Sequence, residues 1–297
     1  MRAIVTGGAG FIGSHLADAL LARGDDVLVI DNLSRGLREH VPGGAELVER
    51  DIREPLGDVF ADFRPDACFH LAAQADVRVS VARPDEDAMD NVIGTIHVLQ
   101  AAQEQGAKVV FSSTGGAIYG ECDRPAREDD PLEPLSPYGT AKLAAESYVS
   151  MWNRLHGGQH TVLRYANVYG PRQVAGLEGA VVAIFFEQFR AGEPATIFGD
   201  GTQTRDFVHV FDIVAATLAA VDAGGLFNVG SGMETTIVEL HDLCRRASGT
   251  EGEPVFAPER LGEIRRSVLD ATRGSQGLGW RPKLSLEEGL RQTWREE

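Results

Sequence analysis

The chain has 297 residues, of which 43% are hydrophobic and 24% charged, a composition typical of a globular protein with material for one large domain or one and a half. Its formal net charge is −16 and its pI is about 4.9, which excludes nucleic acid and anionic membrane surfaces as expected partners because both require a basic surface. An anionic ligand would have to be held by helix N-termini and isolated arginines against this overall field.

The three cysteines, Cys68, Cys122 and Cys244, are widely separated and odd in number, so they predict neither a disulfide framework nor a metal cage. A reducing compartment, the cytoplasm, is the predicted location. The first residues run directly into a short apolar strand, so no signal peptide is expected. The longest apolar stretch, around residues 180–186, is too short to span a bilayer.

The first predicted strand, Arg2 to Thr6, leads into glycines spaced as G-x-x-G-x-x-G and then into a helical pattern. Gly7, Gly10 and Gly13 would allow a tight turn, close approach of the backbone to a pyrophosphate, and close packing of helix on strand. The helix N-terminus would supply amide donors for the phosphates. A generic glycine turn is the alternative if the motif is taken alone.

The second predicted strand, Val27 to Ile30, ends at Asp31, which lies 18 residues beyond the last glycine of the motif. A carboxylate at this point accepts hydrogen bonds from the adenosine ribose and repels a 2′-phosphate. Asp31 therefore favours NAD over NADP. The nearby Arg35 is a complication, because an arginine after this strand can hold a 2′-phosphate.

Two further strands end at candidate cofactor contacts. Glu46 to Glu49 is followed by Asp51 and Ile52, which could hold the adenine amine and ring, although a surface turn is an equal alternative. Asp66 to His70 is followed by small residues at 71–73 that would let the backbone pass close to the cofactor. The histidine that ends this strand is interpreted as a hydrogen-bonded strand residue rather than a ligand.

A helix is predicted over Asn91 to Gln105, with apolar residues at four helically spaced positions, and a fifth strand over Lys108 to Ser112. The repeated order of strand, helix and strand predicts an α/β fold with a doubly wound, parallel Rossmann-type sheet. Ligands of such sheets bind at the carboxyl ends of the strands. Thr114 falls at that edge.

A helix is predicted from Pro137 to about Leu155, and it carries Tyr138 and Lys142 four residues apart on one face. The ammonium can lower the pKa of the phenol from its usual value near 10, so Tyr138 can act as a base at neutral pH. The Thr114 hydroxyl could hold the atom that exchanges the proton. Without further support, an exposed lysine and a half-buried tyrosine would explain the same pattern.

The alternation breaks after a sixth strand, Thr161 to Tyr165, and a smaller, interleaved C-terminal α/β lobe is predicted to close over the strand ends. The predicted division assigns 1–168 plus 206–231 to the cofactor domain and 169–205 plus 232–297 to the lobe. Arg205 and Arg260 lie in loop-like settings of the lobe and could clamp a diphosphate. Two surface arginines are the alternative interpretation.

Together these residues resemble one family. T-G-G-A-G-F-I-G-S-H-L, D-N-L-S, H-L-A-A, F-S-S-T, Y-G-T-A-K, R-Y-A-N-V-Y-G-P-R and R-D-F-V-H-V occur in the order typical of the extended short-chain dehydrogenase/reductase family, and specifically of its nucleotide-sugar epimerases. The motifs are most similar to those of enzymes that interconvert UDP-glucose and UDP-galactose at C4. The resemblance spans nearly the whole chain.

The resemblance implies that Thr114, Tyr138 and Lys142 are the catalytic residues and that no metal takes part. It implies NAD contacts from Gly7, Gly10, Phe11, Ile12, Gly13, Asp31, Asn32, Ser34, Gly36, Asp51, Ile52, Leu71, Ala72, Ala73, Asn91, Tyr138, Lys142 and Tyr165. It implies contacts to a UDP-sugar from Thr114, Tyr138, Asn167, Thr196, Phe198, Arg205, Arg260, Glu263 and Ser267. A homodimer is expected through the helices near 91–105 and 138–155, although core packing explains their apolar residues equally well.

Two positions separate the subfamilies. Relatives that dehydrate or decarboxylate a nucleotide sugar carry acids just after the hydroxyl residue, whereas here Thr114 is followed by Gly115 and Gly116. Elimination chemistry is therefore disfavoured. Strict UDP-glucose/galactose enzymes place a bulky tyrosine at the position of Ser267, so the small side chain here predicts room for a 2-acetamido group and turnover of UDP-GlcNAc and UDP-GalNAc.

The function implied by the resemblance is a redox-neutral 4-epimerisation of a UDP-hexose, in which hydride leaves C4 for bound NAD and returns to the opposite face. Three alternatives stay open: another sugar-nucleotide epimerase such as a UDP-glucuronate 4-epimerase, a sugar-nucleotide reductase or dehydratase, and a non-catalytic NAD-binding protein. The intact Tyr138 and Lys142 pair disfavours the last.

Overall fold

The structure, a computed structural model, describes residues 1–176, 180–259 and 264–296. The strands of this part are β1 (Arg2–Thr6), β2 (Asp26–Asp31), β3 (Glu46–Glu49), β4 (Ala67–His70), β5 (Lys108–Thr114), β6 (Thr161–Tyr165), β7 (Asn167–Tyr169), β8 (Thr196–Phe198), β9 (Thr204–His209), β10 (Gly225–Val229), β11 (Glu234–Thr236), β12 (Val255–Ala257) and β13 (Arg266–Ser267).

The α-helices are α1 (Phe11–Ala22), α2 (Gly57–Phe63), α3 (Val77–Ala82), α4 (Pro84–Ala88), α5 (Gly94–Gln105), α6 (Pro137–His156), α7 (Val181–Ala191), α8 (Val210–Ala219), α9 (Ile237–Ser248), α10 (Thr272–Leu278) and α11 (Leu286–Glu296). A π-helical turn, Met89–Ile93, joins α4 to α5, and short 3₁₀ turns cover Arg38–His40 and Ala220–Asp222.

The central sheet contains seven of the described strands in the order β10-β6-β5-β4-β1-β2-β3. Each neighbouring pair is parallel. The chain winds outward from β1 in one direction and then returns to β4 on its other side, so the strand order reverses between β1 and β4. A doubly wound sheet opens a ligand crevice at that point, beyond the carboxyl ends of the strands. The predicted fold class is confirmed.

The alternating side chains of β1 show how the sheet is buried on both faces. Ala3, Ile4 and Val5 are each 0% exposed. Ala3 and Val5 pack into one core together with Leu16 of α1, whereas Ile4 faces a second core that includes Leu99 of α5. Successive residues of a strand point to opposite faces, so a short apolar run fills both layers.

A third core lies in the C-terminal part of the chain, between α7, α9 and α11. Two small sheets accompany it: β9 pairs with β7, β11 and β13, and β8 pairs with β12. The single residue Ala166 separates β7 from β6 of the central sheet. The small sheet around β9 is therefore attached directly to the carboxyl end of β6, next to the expected site.

The segment after β4 differs from the sequence prediction. The helix expected from Asn91 begins instead as the π-helical turn, and only Gly94 starts the α-helix. Among the apolar residues expected to form its stripe, Leu99 is buried but Val92 and Ile96 are only half-buried. The short helices α3 and α4 precede it. The valines of α3 alternate with polar residues and α4 is mostly acidic, so neither segment has the apolar periodicity from which a helix could be predicted.

Within the described residues, no helix combines the length and the apolar character that a membrane span requires. The cysteines Cys68, Cys122 and Cys244 are all free, and the first and last of them are buried. The predicted division into a cofactor domain and a lobe remains a prediction.

Candidate active site

The glycine motif forms the loop between β1 and α1. Gly7 has a φ of +71°, and a Cβ there would lie 2.7 Å from the amide nitrogen of Ala72. A Cβ at Gly13 would overlap the carbonyl oxygen of Gly7. Gly10 caps α1 without a side-chain hydrogen bond, and the first turn holds no acid. The amides at the start of α1 are therefore exposed to an anion, as pyrophosphate binding requires.

Asp31 lies at the end of β2 beside this loop. It is 8% exposed, and its carboxylate accepts hydrogen bonds from the amides of Ala9 at 3.0 Å and Leu33 at 2.8 Å. Each carboxylate oxygen can accept two hydrogen bonds, so Asp31 keeps acceptor capacity for ribose hydroxyls. Asn32 and Ser34 follow in an exposed turn closed by the Ser34 amide and the Asn32 side chain.

Gly36 and Asp51 complete the edge of this crevice. A Cβ on Gly36 would come within 2.7 Å of the Ala9 side chain, so the loop can approach the glycine motif only without one. Asn32 donates to Asp51 at 3.0 Å. Partial burial alone would raise the pKa of Asp51, but hydrogen bonds from Arg53 and Asn32 lower it to about 2, so the side chain is a carboxylate at neutral pH.

Ile52, which follows β3, and Asn91, in the π-helical turn, are both buried. Ile52 is 7% exposed and packs so closely on Gly94 that a Cβ there would come within 2.5 Å. Asn91 is 1% exposed and donates to the Gln74 carbonyl at 2.9 Å, while its Oδ1 has no partner among the described residues. The buried Asn91 oxygen has no hydrogen-bond donor in the described residues, and it therefore fits a bound ligand with hydroxyl donors.

The chain after β4 passes close to the glycine loop. The amide of Leu71 donates to the Thr6 carbonyl at 3.1 Å, and the amide of Ala72 reaches the Thr6 hydroxyl at 3.3 Å. Ala73 continues this segment. His70 contacts the hydroxyls of Thr6 and Thr95 at 2.7 and 3.0 Å, so its interpretation as a hydrogen-bonded strand residue is confirmed.

Thr114 and Tyr138 meet at the carboxyl end of β5. Ser136 caps α6 by accepting from the Gly139 amide at 3.1 Å, and Pro137 is the first helical residue, as predicted. Tyr138 is thereby placed in the first turn, where hydrogen bonding by the Thr114 hydroxyl lowers the pKa of its phenol. The hydroxyl that stabilises a phenolate is thus already in contact with it.

Lys142 lies one turn further along α6 and is 3% exposed. Its ammonium donates to the Ser112 carbonyl at 2.9 Å and lies 4.8 Å from the centre of the Phe111 ring. Burial lowers the pKa of Lys142 to about 8, although the carboxylates of Asp87 and Glu146 oppose this shift. Lys142 is therefore a cation at neutral pH and loses its proton as the pH rises through about 8.

The pKa of Tyr138 is shifted in the direction opposite to the sequence prediction. Burial raises it above its usual value, the charge of Asp87 raises it further, and the hydrogen bond from Thr114 lowers it. The helical spacing placed Lys142 near Tyr138 but could not reveal that both are buried. In the protein without cofactor, desolvation therefore outweighs the lowering of the phenol pKa that was expected from the Lys142 ammonium.

Tyr165, an expected NAD contact, has its side chain in the core. Its hydroxyl contacts the Thr217 hydroxyl of α8 at 2.7 Å and also hydrogen-bonds Ser112, and the residue is 4% exposed. Its carbonyl accepts from the Gly115 amide at 2.7 Å. The structure therefore brings the backbone of Tyr165 to the site.

Gly116 marks a space that three predicted substrate residues share. A Cβ built on Gly116 would lie 3.4 Å from the Asn167 side-chain oxygen, 3.8 Å from the Ser267 hydroxyl and 3.9 Å from the Thr114 hydroxyl. Arg205 pairs directly with Ser267 in the register of β9 and β13. The small sheet around β9 thus brings Asn167 and Ser267 close to Gly116 and Thr114.

Thr196 and Phe198 lie on β8, which pairs with β12. Gln203 donates to the Phe198 carbonyl at 2.8 Å. A pocket beside this strand is lined by Gly199, Asp200, Gln203, Glu259, Ile264 and Arg265. Its polar members could not be predicted from the sequence because no motif marks them. Arg260 and Glu263 lie outside the described residues.

A buried ion pair behind β5 was not predicted from the sequence. The Arg164 guanidinium binds both carboxylate oxygens of Glu146, with the closest contact at 2.7 Å, and also donates to the Tyr119 hydroxyl at 2.7 Å. Ser113 donates to the same carboxylate at 2.5 Å. This network fixes α6 against β5 and β6, and hence Tyr138 against Thr114. Sequence alone does not show which distant charges pair.

Residues 3–230 match the model of a protein family described as the NAD dependent epimerase/dehydratase family. The chain belongs to this family. NAD is accordingly its cofactor. Three features fit that group: the glycine loop between β1 and α1, the Asp31 carboxylate, and the buried Asn91 oxygen that has no partner among the described residues.

Individual members of the epimerase/dehydratase family resemble the chain over nearly its full length. A UDP-glucose 4-epimerase of Mycolicibacterium smegmatis is 45% identical over 304 aligned residues, which cover 99% of this chain and 97% of the relative. The crystal structure of a UDP-glucose 4-epimerase from Thermotoga maritima with UDP-glucose is 46% identical, with a TM-score of 0.97 over 100% of this chain and 98% of that one. A UDP-glucose 4-epimerase of Thermus thermophilus in complex with NAD is 42% identical, with a TM-score of 0.95 and the same coverage.

Proposed function

We propose that the chain is an NAD-dependent 4-epimerase of UDP-hexoses, with UDP-glucose and UDP-galactose as its principal pair. The observation that carries this proposal is the absence of an acid beside the catalytic threonine: Thr114 is followed by Gly115 and Gly116. Proton removal at C5 and water loss at C6 need a further acid or base, whereas epimerisation needs only Tyr138. Relatives of that activity at 45% and 46% identity support the proposal.

The surroundings of the two glycines show what a side chain there would meet. A Cβ on Gly115 would come within 2.5 Å of the Leu269 side chain, which would have to move. A Cβ on Gly116 would extend into the space bounded by Thr114, Asn167 and Ser267. A carboxylate at 116 would therefore occupy the volume that a hexose needs to turn over.

Tyr138 is the proton carrier of the proposed cycle. It takes the proton of the C4 hydroxyl, and the Thr114 hydroxyl stabilises the phenolate by hydrogen bonding. Lys142 remains an ammonium beside it. NAD, when bound, supplies the hydride acceptor and a positive charge near Tyr138 that offsets the burial of the phenol. Tyr138 returns the proton when C4 is reduced again.

The opposite face of the 4-keto sugar must be presented before it is reduced, so the diphosphate has to be held while the hexose rotates. We assign Asn167 and Arg205 to the diphosphate, because both belong to the small sheet that meets the end of β5. Arginine suits this role since its planar guanidinium forms paired hydrogen bonds to phosphate oxygens.

The proposal is tested by incubating the purified protein with UDP-galactose, UDP-galacturonate and UDP-GalNAc in separate reactions without added cofactor, and separating the products. Conversion of UDP-galactose to UDP-glucose is expected. Conversion of UDP-galacturonate alone would indicate a UDP-glucuronate 4-epimerase. Turnover that depends on added NADH and consumes it would indicate a reductase.

We further propose that 2-acetamido sugars are accepted. Ser267 is 9% exposed and lies beside Gly116, so its small side chain leaves room next to the hexose. Ser267→Tyr should reduce kcat/KM for UDP-GalNAc about 100-fold or more and that for UDP-galactose much less, because the phenol would overlap only the larger substrate. Ser267→Ala is the matched control and should retain both activities. Absence of UDP-GalNAc turnover in the unmodified protein would refute this part.

We also propose a cytoplasmic homodimer that associates through α5 and α6. Ile96 of α5 and Val92 of the preceding π-helical turn are half-buried, and Leu155 of α6 is 68% exposed, so these neighbouring helices present apolar surface. Light scattering after gel filtration should give about twice the chain mass of 32.0 kDa. Leu155→Glu should shift the protein towards monomer, whereas Met233→Glu, at a residue 69% exposed elsewhere, should not. A monomer in the unmodified protein would contradict this.

A further inference from the structure

Asp87 of α4 is a buried carboxylate that no sequence motif marked. It is 1% exposed, and its Oδ1 accepts hydrogen bonds from the side-chain amides of Gln74 and Asn91, each at 3.0 Å. Its Oδ2 is buried without a partner in the described part of the chain. A buried carboxylate oxygen with no hydrogen bond is costly, so its retention calls for an explanation.

The surroundings hold this carboxylate in one orientation. Gln74 also donates to the Asp76 carbonyl at 2.9 Å and accepts from the Asp76 amide at 2.7 Å, so its amide cannot turn round. Asn91 donates both to Asp87 and to the Gln74 carbonyl. Asp87 is therefore fixed between the loop after β4 and the π-helical turn. Both α4 and that turn pack against α6, the helix of Tyr138 and Lys142.

Burial raises the pKa of Asp87 above its usual value, whereas the hydrogen bonds from Gln74 and Asn91 and the charge of Lys142 favour its carboxylate form. No ion pair joins it to an arginine or lysine within residues 1–176, 180–259 and 264–296. The other carboxylate near Lys142 is Glu146 of the same helix, which the Arg164 guanidinium already neutralises. From β4, His70 faces Lys142, but burial lowers the pKa of His70 to about 3, so it is neutral.

The same carboxylate faces Tyr138. After burial, the charge of Asp87 is the largest influence on the pKa of the Tyr138 phenol, and it raises the pKa of both Tyr138 and Lys142. The nearby Asp90 is directed instead to Arg53, at 3.4 Å. In a dry interior such charge effects extend beyond direct contact, because little solvent screens them.

We propose that Asp87 is a positioning residue of the active site: its fixed, unpaired carboxylate is the counter-anion that holds Lys142 in the ammonium form beside Tyr138. It does not touch the substrate. Its effect is a bias on the proton occupancy of both catalytic groups. The inference rests on the proposed function only in treating Tyr138 and Lys142 as the catalytic pair.

The chain offers a direct measurement, because it has just three lysines, Lys108, Lys142 and Lys283. Protein labelled with ¹³C at the lysine ε carbon gives three signals whose shifts follow loss of the ammonium proton. A pH titration of the purified protein followed by NMR gives the pKa of Lys142 directly. The Lys142→Arg variant assigns its signal. This measurement needs no substrate, so its result is independent of whether the protein has epimerase activity.

Asp87→Asn keeps the shape of the side chain and removes the charge. The Lys142 titration should move down by about one pH unit, since loss of a nearby anion disfavours the ammonium. The Lys108 and Lys283 signals should not move. Asp85→Asn is the matched control, because it removes the same charge from an exposed position of the same helix, and it should leave Lys142 unchanged.

The pH dependence of kcat gives a second readout. Both limbs of the profile should shift to lower pH in Asp87→Asn, because the carboxylate raises the pKa of Tyr138 and of Lys142 alike. A purely structural role would lower kcat or thermal stability without moving either limb. If Asp87→Asn does not fold, Asp87→Ser removes the same charge. An unshifted Lys142 titration in a folded, charge-removed variant would overturn the proposal.

Discussion

Replacing Tyr138 by phenylalanine removes one hydroxyl from a buried ring and changes little else. In the structure this hydroxyl hydrogen-bonds Thr114, and the loss of one such bond should lower the free energy of unfolding by only about 1 kcal/mol. The loss of a positioned proton carrier should instead lower kcat by about 10²- to 10⁴-fold. That range corresponds to about 3 to 5 kcal/mol of transition-state stabilisation.

The assay follows conversion of UDP-galactose in the unmodified protein and in Tyr138→Phe, together with the NAD released on denaturation and the thermal midpoint. Bound NAD and the midpoint should stay close to those of the unmodified protein while turnover is nearly lost. Tyr148→Phe is the control, because Tyr148 lies on the same helix and is 37% exposed. A Tyr138→Phe variant with unmodified kcat would refute the assignment of the proton carrier.

Three further predictions concern the cofactor loop, the ammonium and the buried ion pair. Gly13→Ala should lower NAD affinity about 10- to 100-fold in equilibrium binding, because its Cβ would overlap the Gly7 carbonyl and force a shift that costs about 1 to 3 kcal/mol. The kcat of the unmodified protein should fall as pH rises through about 8, where buried Lys142 loses its proton; a profile flat to pH 10 would contradict this. Arg164→Met should cost about 3 to 5 kcal/mol in denaturant unfolding by leaving the Glu146 carboxylate buried without its cation, and adding Glu146→Leu should restore part of that loss; equal stability of all three proteins would contradict this.

Local patterns were sufficient to predict most of the fold. β1 and β6 have the predicted bounds because short runs that are buried on both faces leave little freedom in where a strand starts and ends. β3, an edge strand of exposed and half-buried residues, also has the predicted bounds. α6 begins at Pro137 as expected, since proline is favoured in the first turn and Ser136 caps it. Elements that depend on contacts with residues distant in sequence, such as α3 and α4, were not predicted.

The π-helical turn at Met89–Ile93 illustrates the limit. It carries Asn91, whose side chain bonds to Gln74 and to Asp87, and those contacts depend on how the loop after β4 folds. The apolar spacing of the helix carries no information about them. The predicted direction of the Tyr138 pKa shift was wrong for a related reason. Sequence spacing predicts a neighbouring charge, whereas burial is a property of the complete fold.

The residues of the candidate site were largely named from motifs, and the structure places Thr114, Asn167 and Ser267 around one space at Gly116. Asp87 and Arg164 could not be named in this way. Each acts through charge on residues that are remote in sequence, and a single chain does not reveal which of its many acids and arginines become buried.

The central claim is that hydride leaves C4 and returns to the same carbon within one site. UDP-galactose that carries deuterium at C4, converted in ordinary water without added NAD, tests it directly by NMR of the product. We expect UDP-glucose that retains deuterium at C4, with none lost to solvent. Product with hydrogen at C4, or no conversion without external cofactor, would contradict it.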